Sequence, residues 1–195
     1  MIEVEKKFTL TVEDEKRLID GAEFIGEKIF TDVYYDTADY SLTSNDKWLR
    51  SRAGRWELKL PLNEIAAERV GDLYHEIEGE LEVEKVLGND FKNNYAGFCT
   101  CRTVRRKYKK NGFGIDIDYV DYGNEDFKYG LAEIELMVKD EAEMPEALEK
   151  IISFAKENSL EIKYVRGKVI EYLRRKSPAH FQALINSGVI RPEQV

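Results

Sequence analysis

Several short stretches of this sequence set charged side chains two residues apart. Glu3, Glu5 and Lys7 do so near the start, then Trp48, Arg50 and Arg52, then Glu57 and Lys59. Arg105 and Lys107 follow, then Asp116 and Asp118, and finally Glu133 and Glu135. Residues two apart on a β-strand point to the same side. Such stretches put ions on one face and apolar groups mainly on the other, as Asp116 and Asp118 alternate with Ile115, Ile117 and Tyr119. A sheet wetted on one side explains such alternation in any single strand. It does not explain why Arg50 and Arg52 are purely basic while Asp116/Asp118 and Glu133/Glu135 are purely acidic, since like charges side by side repel. Trp48 among the cations also suits a pocket better than open solvent. Repeated along the chain, the pattern implies an enclosed charged face, as in a barrel whose lumen carries both signs.

Such a lumen suits a polyanion bound together with a divalent metal. Arg and Lys contact phosphate oxygens directly, Arg in bidentate fashion. Clustered Asp and Glu without His or Cys ligands favour a hard ion such as Mg²⁺ or Mn²⁺. These are the elements of phosphoryl-transfer catalysis. The sequence has no G-x-x-x-x-G-K-S/T, which excludes a P-loop.

The elements that must hold these faces are mostly strands. Period-two alternation predicts strands over Ile2–Phe8, Val33–Asp36, Lys47–Ala53, Arg55–Leu60, Cys99–Tyr108, Gly112–Val120 and Leu131–Val138. Lys110-Asn111-Gly112 predicts a tight hairpin turn. Helices are fewer. Thr11 with Asp14 predicts an N-cap, with Gly21 closing that helix. A second helix ends at Gly88. Pro145 opens an amphipathic helix through Leu148, Ile151, Ile152 and Ala155, Lys168–Arg175 reads as helix, and Ser177-Pro178 starts one stopped by Gly188. The fold class is α+β around a large antiparallel sheet.

Composition bounds the rest. The chain has 195 residues with 30 Lys and Arg against 38 Asp and Glu, a formal charge of −8, which disfavours a nonspecific nucleic-acid binder. That length predicts a single domain over residues 1–195. Cys99 and Cys101 can form neither a disulfide framework nor a four-ligand zinc site. No basic leader and no run of about 20 apolar residues occurs, so the expectation is a cytoplasmic protein with no membrane partner.

Glu3-Val4-Glu5-Lys6-Lys7 reads E-x-E-x-K, and the later charged strands follow in order through Trp48-Leu-Arg50-Ser-Arg52, Trp56-Glu-Leu-Lys59, Arg105, Asp116-Ile-Asp118, Glu133-Ile-Glu135 and Lys168. This ordered set resembles the CYTH superfamily of triphosphate tunnel metalloenzymes, over residue 2 to about residue 192. Within it the likeness is greatest to the soluble thiamine triphosphatases, through Thr31–Thr37, Ser41-Leu42, Trp48 and Glu171-Tyr172-Leu173. The resemblance implies an eight-stranded antiparallel barrel forming a tunnel, with flanking helices and a C-terminal helix near one mouth. It implies that Glu3, Glu5, Asp116, Glu133 and Glu135 bind Mg²⁺, with Mn²⁺ the alternative. Lys7, Arg50, Arg52, Lys59, Arg105 and Lys168 would hold a triphosphate, and Trp48 would stack on an organic ring. Tyr34 and Lys59 would form a catalytic pair, Lys59 activating or positioning the attacking water. The implied reaction is hydrolysis of the terminal phosphoanhydride of thiamine triphosphate by a monomer. The alternatives are an inorganic tripolyphosphatase, a class IV adenylate cyclase and a polyphosphate-binding module without turnover.

Other residues read as structural. Glu57 is expected to pair with lumen cations, while Asp118 and Lys107 stay open between site and support. Arg102, Arg106, Lys109 and Lys110 form a basic patch without interleaved aromatics, weak as an RNA signal. His75 and His180 are isolated, and Cys99 and Cys101 fit small apolar packing.

Overall fold

The computed structural model describes residues 2–62, 74–123 and 125–191; the end of the resemblance, at residue 192, lies outside them. One antiparallel sheet of eight strands dominates. The strands are β1 (Ile2–Phe8), β2 (Glu23–Asp36), β3 (Trp48–Arg52), β4 (Arg55–Pro61), β5 (Tyr74–Glu78), β6 (Ala96–Lys110), β7 (Phe113–Asp121) and β8 (Lys128–Val138). Their order across the sheet is β1-β8-β7-β6-β2-β3-β4-β5. The sheet curls into a half-barrel. Among the described residues its ladder ends at β1 on one side and β5 on the other, so the expected eight strands are present without a closed ring of hydrogen bonds.

Local chemistry sets the connections. Asn111 and Gly112 take φ of 53° and 86°, both left-handed, as a two-residue hairpin between β6 and β7 requires. The helix α1 (Val12–Ile19) opens with a reciprocal cap: Thr11 Oγ1 accepts from the Asp14 N–H at 3.1 Å, and Asp14 Oδ2 accepts from the Thr11 N–H at 2.9 Å.

Strand β2 begins ten residues before the alternation at Val33 suggests. A bulge between Phe24 and Gly26 flips the side-chain parity, and Ile25 and Ile29 stay exposed, which blurs the pattern. β5 was not expected as a strand. Its Tyr-His-Glu-Ile-Glu is a short, polar edge segment.

Helices cover the sheet in three places. The helix α4 (Met144–Glu157) and α1 lie behind β1, β7 and β8, with Phe8, Ile115, Ile134, Ile151 and Phe154 at the centre. Burying each such side chain stabilises the fold by roughly 1.5–3 kcal/mol. The helices α2 (Glu80–Leu87) and α3 (Phe91–Asn94) close over Leu49 and Leu58 behind β3 and β4. The third group lies on the concave side. There α5 (Lys168–Lys176) and α6 (Pro178–Asn186) pack Val169, Leu173 and Leu184 against Tyr34, Cys99, Cys101 and Val120, plugging one end of the curl. The two thiols are free and buried, as packing groups should be. Among the described residues, no helix is long and apolar enough to cross a membrane.

Candidate active site

Register places the charged stretches on one surface. Glu5 lies opposite Glu135, Lys7 opposite Glu133 and Asp116 opposite Glu133. Arg105 faces Asp118, Tyr34 faces Arg50, Asp32 faces Arg52 and Lys59 lies between Trp48 and Glu76. This is the concave face, and it bounds a cavity of about 390 Å³. Glu3, Glu5, Lys7 and Glu133 line one wall, and Tyr34, Trp48, Arg50, Arg52 and Lys59 the other, with Arg105 and Lys168 between them.

Two of the expected metal ligands, Asp116 and Glu135, sit just beyond the cavity lining. Asp116 is buried beneath Arg105, accepting from its Nη1 at 2.7 Å, with Lys107 Nζ at 3.1 Å. Glu135 crosses in front of Gly114, where a Cβ would come within 2.5 Å of its Oε1, so only glycine leaves that carboxylate its place. Arg105 joins three acids: both oxygens of Asp118, at 2.6 and 2.7 Å, Asp116, and Glu133 Oε2 at 2.7 Å. Burial works against its charge, but these contacts hold its pKa above the ordinary value.

The acidic side is nonetheless short of positive charge. Partial burial, then repulsion from Glu135 and Glu5, pushes the Glu3 carboxyl up to about 7. Burial and the nearby Asp116 also raise Glu135. Asp116 Oδ1 is buried with no hydrogen-bond partner. Among the described residues, no three His, Cys, Asp or Glu side chains converge tightly enough to cage an ion; the carboxylates grip Arg105 and Lys107 instead. The donors are all oxygens, one is orphaned, and the group repels itself, which suits a hard divalent cation.

On the basic side the charges are matched. Arg52 donates Nε and Nη2 to the two oxygens of Asp32, at 2.7 and 3.1 Å, and Lys168 Nζ reaches Asp32 Oδ2 at 2.5 Å. Asp32 is fully buried; burial alone would raise its pKa, but Arg52 and Lys168 push it down to about 2. Arg50 Nε donates to Glu57 Oε2 at 2.6 Å, so Glu57 is the lumen partner expected of it. Lys59 is salt-bridged to Glu76. Tyr34 and Lys59 both line the cavity, yet the structure pairs them elsewhere: the Tyr34 hydroxyl accepts from Arg50 Nη1 at 3.4 Å.

Glu76 and Asp46, which line the cavity, and Asp32, buried beneath its basic wall, have no role assigned from sequence. Asp32 was visible by parity, two residues before Tyr34. Glu76 required recognising β5. Asp46, in the turn before β3, had no periodic signal. The other histidine and basic-patch readings are structural. His180 is buried, with Nε2 2.7 Å from Thr43 Oγ1 and its ring stacked on Tyr40. Lys110 caps the end of α1 through the Arg17 and Leu18 carbonyls, and Arg106 pairs with Glu27.

Similarity to other proteins agrees with this geometry. The chain is 34% identical to a thiamine-triphosphatase of Macaca fascicularis, covering 99% of this chain and 94% of the relative. It is 34% identical to the Homo sapiens thiamine-triphosphatase over 100% and 94% of the two chains. Among solved structures, a protein of Pyrococcus horikoshii OT3 superposes with a TM-score of 0.65 at 27% identity, covering 89% of this chain and 99% of that one. A conserved hypothetical protein of Pyrococcus furiosus superposes at 0.58 with 24% identity, covering 82% and 91%. The CYTH domain matches residues 1–163. With its charged concave sheet and that match over most of its length, the chain belongs to the CYTH family.

Proposed function

We propose that the chain hydrolyses the terminal phosphoanhydride of a small triphosphate, with thiamine triphosphate as the substrate and thiamine diphosphate and phosphate as products. The observation that carries this reading is one cavity lined on one side by Arg50, Arg52 and Lys59 and on the other by Glu3, Glu5 and Glu133. Phosphoryl transfer needs that combination, since catalysis there is largely positioning and charge stabilisation. The thiamine-triphosphatase relatives, matched over nearly their full length, support the substrate.

Lys7, Arg50, Arg52, Arg105 and Lys168 would bind phosphate oxygens and fix the chain of anhydrides across the cavity. Asp32 holds Arg52 and Lys168 in place for that task. Lys59, salt-bridged to Glu76, would orient the attacking water by its charge, and the Tyr34 hydroxyl, tied to Arg50, would orient the phosphate beside it. Trp48 would lie against the organic ring. Glu3, Glu5, Asp116, Glu133 and Glu135 would hold a divalent cation, Mg²⁺ in this reading. When bound, it supplies Lewis-acid polarisation of phosphate oxygens. We further read residues 1–195 as one domain, because all three apolar clusters pack on the same sheet. The reading includes a monomer acting on a small molecule in the cytoplasm, where unbridged thiols such as Cys99 and Cys101 belong.

Inorganic tripolyphosphate is the second reading, because the cations named above would bind the phosphates whatever group they carry. A substrate panel with and without Mg²⁺ separates the two. Thiamine triphosphate is expected to be hydrolysed fastest, only with the metal, and ATP to yield no cyclic AMP. Turnover of tripolyphosphate far above that of thiamine triphosphate would overturn the substrate.

A further inference from the structure

Between Trp48 and Tyr74, at the end of the cavity where Lys59 stands, lies a carboxylate that belongs to neither charged wall. Asp46 is 1% exposed and lines the cavity. Its Oδ1 accepts from the Trp48 indole Nε1–H at 2.9 Å and from the Tyr74 hydroxyl at 2.9 Å. One oxygen thus ties the aromatic at the start of β3 to the aromatic at the start of β5, across strands that are not neighbours in the sheet.

The backbone fixes Asp46 firmly. It ends the short turn Thr43–Asn45 with φ 56°, and its N–H donates to the Thr43 carbonyl at 2.9 Å. That turn is anchored twice more. Asp36 accepts from the Leu42 and Thr43 N–H groups, at 2.8 and 2.9 Å, and Thr43 Oγ1 meets His180. A carboxylate so placed does two things to its aromatic donors. It sets the planes of both rings, and by accepting their hydrogen bonds it pushes electron density into them. Electron-rich ring faces attract cations. Lys59 already shows the attraction, with Nζ 5.8 Å from the centre of the Tyr74 ring.

We propose that Asp46 is a positioning residue that fixes Trp48 and Tyr74 as a recognition wall for a flat, positively charged ring on the substrate. This deepens the proposed function and rests on it: the wall discriminates among triphosphates by what they carry, while the Arg and Lys groups bind the phosphates. A triphosphate without a ring gains nothing from Asp46.

The test compares Asp46→Gly and Asp46→Asn with the unsubstituted protein on thiamine triphosphate and on inorganic tripolyphosphate. Glycine accepts the left-handed φ without strain, so Asp46→Gly removes the carboxylate and leaves the backbone of the turn in place. Asparagine keeps a carbonyl acceptor and tolerates the same φ, so it restores the ring positions but not the charge. Asp46→Gly is expected to raise KM for thiamine triphosphate about tenfold, the size of one modest cation–π contact, with kcat and the tripolyphosphate constants changed less than about twofold. Asp46→Asn should fall between. Should Asp46→Gly fail to fold, Tyr74→Phe removes one of the two hydrogen bonds while keeping the ring, and is expected to raise the same KM by about threefold. Equal KM changes for both substrates, or no change for either, would overturn the proposal. Failure of the substrate reading shows elsewhere, in the unsubstituted protein, as a preference for tripolyphosphate.

Discussion

The two walls of the cavity are made of the same kinds of side chain and differ in how completely their charges are matched. On the basic wall Asp32 is enclosed by Arg52 and Lys168, and its carboxyl is pushed down to about 2. On the acidic wall Glu3 is pushed up to about 7 by partial burial and by its neighbours Glu135 and Glu5, and Asp116 keeps a buried oxygen without a partner. Burial opposes ionisation on both sides. On one it is outweighed by cations, and on the other it is reinforced by repulsion. The basic wall is therefore complete as a folded structure, whereas the acidic wall carries a deficit that a divalent cation would fill. A site that must exchange a metal-bound anion needs that asymmetry: fixed cations for orientation, and a charge deficit that makes binding favourable.

The largest expected effect comes from removing Arg105, the cation that bridges three carboxylates of the acidic wall. Arg105→Met strands Asp116, Asp118 and Glu133 together, at a cost of roughly 3–5 kcal/mol, the range for breaking a buried ion pair. Urea unfolding without metal measures it, and a loss below about 1 kcal/mol would mean that Arg105 does not hold that wall. Next come the rate effects. Glu133→Gln and Arg52→Ala, one from each wall, are each expected to lose about 2–4 kcal/mol of transition-state stabilisation, read from kcat/KM with saturating Mg²⁺. Near-normal rates for Glu133→Gln would remove it from the metal site.

Stability at neutral pH without metal then separates the walls by sign. Asp32→Asn leaves Arg52 and Lys168 unmatched and is expected to destabilise by about 2–3 kcal/mol. Glu3→Gln relieves repulsion at a partly open position and is expected to stabilise by about 0.5 kcal/mol, the discount reflecting solvent screening. Two changes of the same sign would erase the contrast between the walls. The smallest effect is the pH dependence. Because Glu3 is raised in the folded protein, its favourable contribution is complete below the unfolded value of 4.5 and is lost as pH climbs through about 7. His180 works in the opposite direction. Burial lowers it from 6.5 to about 4, so its contribution is complete above 6.5 and lost as pH falls toward 4. The two windows overlap between about 4.5 and 6.5, where the slopes oppose each other, so metal-free thermal stability should be nearly level there and fall on either side, and adding Mg²⁺ should flatten the neutral fall but not the acid one. A neutral slope unchanged by Mg²⁺ would argue against a cation beside Glu3.

Strand parity made most of the site legible, because one buried fact, the side of the sheet, is written every second residue. Glu3, Glu5, Lys7, Arg50, Arg52, Arg105 and Glu133 came from that rule and share the cavity. Parity does not reveal which strands are neighbours. Tyr34 and Lys59 share the face, but β3 stands between their strands and Arg50 takes the Tyr34 hydroxyl. Nor does parity survive a bulge, which hid the first half of β2, or reach a turn, which hid Asp46. The half-open ring was also beyond it, since closure depends on hydrogen bonds between chain-distant edges.

The C-terminal plug has a consequence for where this domain ends. The CYTH domain match ends at residue 163, five residues before α5 begins, while similarity to the thiamine-triphosphatase relatives runs over nearly the whole chain. Yet Lys168, the first residue of that helix, reaches into the cavity to Asp32, and Val169 and Leu173 cover Tyr34 and both cysteines. A fragment cut at the end of that match would keep every described strand and lose Lys168, a partner of Asp32, and the apolar cover over two buried thiols. Removing α5 would therefore leave Asp32 with Arg52 alone and the two thiols open to alkylation.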